Sequence, residues 1–148
     1  MIAIINGPNL NLLGKREPEI YGNETFESFL RSLRDRYPLE PIEYYQSNSE
    51  GEIIDHIHRL GYESADCRGI VLNPGGYTHY SIAIADAICA IEIPVVEVHI
   101  SNIMARETYR HESVTAAGCR GMLTGFGLEG YAMGVDFLLR ISRAQVGK

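Results

Sequence analysis

The amino-acid sequence predicts an α/β protein: a five-stranded parallel sheet with helices on both faces. Three observations carry this. Five short runs, Met1–Ile5, Ile42–Gln46, Gly69–Asn73, Pro94–His99 and Gly121–Phe126, read as strands. Most are apolar without interruption, as strands buried on both faces are. The segments between them make a β-α unit repeated five times, and such units join parallel strands right-handedly.

Each element has its own local cause. Met1–Ile5 is short and β-branched. From Thr25 to Arg36 the first helix places Phe26, Phe29, Leu30, Leu33 and Tyr37 at helical spacing, and Pro38 and Pro41 stop it. Ser49 and Glu52 have capping-box spacing, followed by Ile53, Ile54, Ile57 and Leu60, with Gly61 as the expected end. The stretch from about Tyr80 to Ala90 is small and apolar, suiting a helix pressed closely on a sheet. The last helix, about Leu128 to Val146, turns Tyr131, Val135, Leu138, Leu139 and Ile141 inward.

The connection Asn6–Gly22 (NGPNLNLLGKREPEIYG) is long for a strand-to-helix loop, and loops of that length tend to be lids or binding loops. Asn6, Asn9 and Asn11 supply amides, Lys15 and Arg16 charge, and Tyr21 a phenol. Ligands of parallel sheets sit beyond the carboxyl ends of the strands. The polar loops after the first, third and fourth strands all open there.

Length and composition narrow the class. The 148 residues suit one domain, 1–148, with 45% hydrophobic and 22% charged residues. A net charge of −6 argues against a nucleic-acid binder. An anionic small molecule remains compatible, since 11 of the 13 basic residues are Arg, suited to carboxylates. Cys67, Cys89 and Cys119 lack metal or disulfide spacing, which implies reduced thiols and a cytoplasmic location. No signal peptide and no apolar run long enough for a membrane span is visible.

After the third strand, Asn73-Pro74-Gly75-Gly76-Tyr77-Thr78-His79 puts two glycines at the mouth of a helix. This reads either as a site for an anion, a carboxylate or a hydroxyl-rich ligand, or as a plain tight turn. After the fourth, Glu97 and His99 are two apart and share one face of an extended chain. A carboxylate beside an imidazole fixes its tautomer and favours its charged form, as a general acid requires. Ser101 and Asn102 add donors, and Arg106 and Arg110 share a face if their segment is helical. No G-x-S-x-G elbow supports a serine hydrolase. Asn73 stands where a phosphorelay receiver needs an aspartate, and the first loop lacks the Ser and Thr of a flavin phosphate site. With a phenol, an imidazole, arginines and amides, the set suits removal of a proton α to a carbonyl and acid-assisted loss of water. Arg16, five residues before Tyr21, is the local cation that would favour the phenolate.

The motifs NGPNLNLLGKREPEIYG, QSNSEG, LNPGGYTH, EVHISNIMARETYR and GFGLEGY closely resemble the type II 3-dehydroquinate dehydratases (type II dehydroquinases), in order and over essentially the whole chain. The resemblance implies a flavodoxin-like fold, a dodecamer built from trimers and no metal or cofactor. It implies elimination of water from 3-dehydroquinate, giving 3-dehydroshikimate through an enolate, in the shikimate pathway of aromatic amino acid biosynthesis or in quinate metabolism. By motif position Tyr21 is the base, Arg16 part of a mobile lid, Arg106 a neighbour of the phenol, and His99 the acid held by Glu97. Asn9 positions a water or the enolate oxygen. Asn73, His79 and Arg110 hold substrate hydroxyls, while Ser101 and the Ile100 backbone bind the carboxylate, supported by Asn102 and Ile103. Asp86 reaches a neighbouring subunit's site. Tyr80, Ala85 and Met104 depart from the family's common residues. The contrasting reading is a non-catalytic module that binds a polyhydroxy acid, which would need no activated phenol.

Overall fold

The computed structural model describes residues 1–15, 19 and 24–146. Strands β1 (Ile2–Asn6), β2 (Ile42–Gln46), β3 (Ile70–Asn73), β4 (Val95–His99) and β5 (Gly121–Thr124) form one parallel sheet in the order β2-β1-β3-β4-β5. This is the flavodoxin-like order, whose switch point lies between β1 and β3. Helices α1 (Phe26–Arg36) and α4 (Glu129–Val146) cover one face, and α2 (Glu50–Tyr62) and α3 (Ile82–Ala90) the other.

The uninterrupted apolar strands are explained by these two covers. Along β1, Ile2 and Ile4 pack with Phe26, Leu33 and Tyr131, whereas Ala3 and Ile5 pack with Ile53, Ile57 and Ile84. Successive side chains point to opposite faces, so both sets must be apolar. Burial of each large side chain contributes roughly 1.5–3 kcal/mol. The helix starts obey the expected capping chemistry. Thr25 Oγ1 accepts from the Ser28 N–H, Ser49 Oγ from Glu52 and Ser81 Oγ from Ile84.

Two local readings change. Gly61 does not end α2, which runs on to Tyr62. A Cβ there would lie 2.2 Å from Ile91 Cγ2, so the glycine lets α2 approach the end of α3. The fourth unit carries no α-helix. Its connection holds three short 3-10 turns, Ile103–Ala105, Thr108–Arg110 and Ala116–Gly118, because its polar residues offer no apolar stripe to bury.

Candidate active site

Strand register sets the site. Asn6 pairs with both Gln46 and Asn73, and Leu72 pairs with Glu97, so the ends of β1, β3 and β4 line up along one edge. A cleft of about 210 Å³ opens there. Its walls come from Asn9, Leu10 and Leu13 after β1, from Asn73, Gly75 and His79 after β3, and from His99, Ile100, Ser101, Arg106 and Arg110 after β4. The three loops expected to meet do meet.

The buried wall centres on Glu97, which has no solvent exposure. His99 Nε2 lies 2.7 Å from Glu97 Oε1. An ionised carboxylate only accepts, so Nε2 donates and Nδ1 is the nitrogen left for a ligand. Thr78 Oγ1 and Ser113 Oγ donate to the same oxygen at 2.7 Å each, and Thr115 Oγ1 donates to Oε2 at 2.6 Å. Burial pushes Glu97 upward, but the bonds from His99, Thr115 and Thr78 and the nearby imidazole hold it below the usual carboxylate range. Cys119 Sγ stands 4.0 Å from Oε2, and burial above all, with the Glu97 charge next, raises its thiol to about 12.

A second buried network ties β1 to β3. Tyr131 OH donates to Asn6 Oδ1 at 2.7 Å and accepts from Asn73 Nδ2 at 2.8 Å. Burial pushes the Tyr131 phenol well above its ordinary value. Asn73 Oδ1 accepts the Gly75 N–H at 3.1 Å. The glycine pair is therefore not an open anion cradle: one N–H is already taken, and a 3-10 turn, Gly75–His79, leads from it to α3. Gly7 lies so close to this loop that a Cβ would stand 2.5 Å from the Pro74 carbonyl oxygen.

The outer wall is looser. Asn9 is exposed and adopts φ 69°, a left-handed conformation that asparagine tolerates. Its N–H donates to Asn48 Oδ1 at 3.0 Å. His79 donates from Nδ1 to the Glu112 carbonyl at 2.7 Å, which leaves Nε2 for a ligand. Arg106 Nη1 reaches Ser101 Oγ at 3.5 Å, and Arg110 Nε donates to Glu107 at 2.9 Å. These arginines do not share a helical face; Arg106 is extended between two 3-10 turns, yet both line the cleft. Asn102 is exposed and caps its turn by accepting the Met104 N–H, while Thr124 Oγ1 accepts from Ile103 and donates to the Ser101 carbonyl.

Asp86 is exposed on α3, outside the cleft. Tyr80 and Met104 are exposed and Ala85 half-buried. Arg16 and Tyr21 lie outside the described residues. Sequence reading missed Thr78, Ser113, Thr115, Asn48 and Tyr131 as parts of the site. Ser113 and Thr115, two apart in a polar loop, carried the one local hint. Among the described residues no group of three or more His, Cys, Asp or Glu side chains could hold a metal ion.

Known proteins match this fold and sequence throughout. The model of the family "Dehydroquinase class II" matches residues 1–139. The chain belongs to the class II dehydroquinase family. It is 53% identical over 142 residues to a 3-dehydroquinate dehydratase of Caldicellulosiruptor bescii, covering 95% of this chain and 97% of that one. A 3-dehydroquinate dehydratase of Clostridium botulinum is 50% identical over 149 residues, covering 99% and 98%. The crystal structure of the type II dehydroquinase from Butyrivibrio crossotus superposes with a TM-score of 0.88 at 48% identity, covering 93% of this chain and 95% of that one. The family's fold is thus the observed one, a five-stranded parallel sheet between two helical layers.

Proposed function

We propose that this chain is a hydro-lyase that eliminates water from 3-dehydroquinate to give 3-dehydroshikimate through an enolate. The observation that carries the reading is the Glu97–His99 pair at the carboxyl end of β4, in a cleft that also holds Arg106 and Arg110, within a class II dehydroquinase sequence.

In this reading Tyr21, its phenolate favoured by Arg16 and Arg106, removes the proton α to the ketone. Negative charge moves onto the carbonyl oxygen, where Asn9 positions a water or the oxygen itself. His99, charged and held by Glu97, then gives a proton to the departing hydroxyl. Ser101 and the Ile100 backbone take the substrate carboxylate, with Asn102 and Ile103 supporting their turn. Asn73, His79 and Arg110 hold hydroxyls. For Asn73 the remaining donor is the second Nδ2 hydrogen, since its other groups serve the fold.

Asp86, exposed on α3, completes a neighbouring subunit's site in a dodecamer of trimers. Residues 1–148 act as one catalytic domain in the cytoplasm, without metal or cofactor, in aromatic biosynthesis or quinate breakdown. Among the described residues no helix is long and apolar enough to cross a membrane.

Mixing EDTA-treated, correctly assembled protein with 3-dehydroquinate tests this directly. A rising enone absorbance is the expected result; binding of the substrate without any rise would leave a non-catalytic polyhydroxy-acid binder instead.

A further inference from the structure

The hydroxyls around Glu97 have a hydrogen count that constrains the charge of the site. Thr78, Ser113 and Thr115 come from two separate loops, yet their oxygens stand 2.7 to 3.3 Å from one another. Each hydroxyl carries one hydrogen. Ser113 Oγ accepts the Ala116 N–H at 3.0 Å, so its own hydrogen is free to go to Glu97. If all three hydrogens point at the carboxylate, their oxygens face each other without hydrogens between them, an arrangement that the anion they surround stabilises. Together with His99 Nε2–H, four donors serve two oxygens in a site closed to water. Such a shell solvates an anion.

We propose that Thr78, Ser113 and Thr115 are positioning residues that replace water around an ionised Glu97 and thereby keep His99 as the charged, proton-giving imidazolium of the cleft. Without them the buried carboxylate would be poorly solvated, and the pair would relax to neutral imidazole and carboxylic acid. The charge on His99 would then be lost at a lower pH. Among the described residues Cys119 is a further titratable group against Glu97, with Sγ 4.0 Å from Oε2, and the charge of Cys89 on α3 acts on Cys119 in turn. Arg106, Arg110 and His79 line the same cleft as His99. The cations among them oppose a charged imidazole, which makes a fully ionised Glu97 more necessary.

The inference rests on the acid role given to His99, so its test has an arm that needs no turnover. Histidine-labelled protein is titrated by NMR, with the His99 signal assigned by its loss in His99→Ala. Thr115→Val removes one hydroxyl at nearly constant volume and should lower the His99 midpoint by about one pH unit or more. Thr115→Ser, which restores the donor, should return it to the wild-type value, and Ser113→Ala should shift it in the same direction as Thr115→Val. In the assay with 3-dehydroquinate, Thr115→Val should move the alkaline limb of kcat to lower pH with little change in KM. An unchanged His99 midpoint in folded Thr115→Val and Ser113→Ala, or no recovery in Thr115→Ser, would overturn the proposal. Shifted midpoints in a protein that does not turn over would sink the dehydratase reading and leave the hydroxyl shell standing.

Discussion

The two walls of the cleft are built on opposite principles. On the β4 side, Glu97 is sealed from solvent and meets three hydroxyls and an imidazole at 2.6 to 2.7 Å. On the outer side, Arg110 is steered by the exposed Glu107, and Asn9 by a backbone contact with Asn48. Buried polar networks are strong when every member is satisfied and costly when one is removed. Exposed ion pairs contribute little, because water competes for both partners. His99 is therefore held before any ligand arrives, whereas Arg110 and Asn9 remain adjustable.

Substitutions on either wall put this contrast at risk. His99→Ala should lower kcat by at least about 10²-fold while the protein keeps its fold. If proton abstraction and water release slow equally in a pre-steady-state assay, the imidazole is not the acid. Arg110→Ala should raise KM roughly ten- to hundredfold with little change in melting temperature; a collapsed melting transition would mark the outer wall as structural and erase the contrast. Tyr131→Phe removes the hydroxyl between Asn6 and Asn73 and should cost about 1–3 kcal/mol in urea unfolding, since two buried partners lose their bond.

The mildest effect concerns acid. Glu97 sits below the usual carboxylate range, so its ionised form favours the folded state. That contribution is whole above the ordinary glutamate value of about 4.3 and is lost as pH falls through the folded value. Wild-type stability should thus fall more steeply on acidification than that of Glu97→Gln, by up to about 1.4 kcal/mol per pH unit in that window. Parallel curves in denaturant titrations would show that Glu97 adds nothing to acid sensitivity.

Much of this architecture is legible in the amino-acid sequence. Ser49 caps α2 by accepting the Glu52 N–H. The reciprocal half of the capping box is absent, because the Ser49 N–H donates to Ser47 Oγ and Glu52 also accepts from Ser47. Phe26, Phe29, Leu30 and Leu33 are buried on α1 as their spacing implies. Glu97 and His99 do share a face and do touch. These features depend on neighbours a few residues apart, whose geometry is set by the 3.6- and 2-residue periods of the backbone. The same reasoning overreached at Gly61, which resembles a helix stop but serves a close helix crossing. Arg106 and Arg110 would have shared a face only in a helix, and that condition is not met, since Arg106 is extended between two 3-10 turns.

Local chemistry along the chain was enough to set the run of elements, their capping residues and the edge at which the loops gather. It could not say which hydroxyls solvate Glu97; that came from the folded arrangement. Thr78, Ser113 and Thr115 lie 16 to 19 residues from it, and no local pattern marks a partner at that distance. Their meeting results from the pairing of β3 with β4 and the return of the loop before β5, whose geometry comes from packing both faces of one sheet.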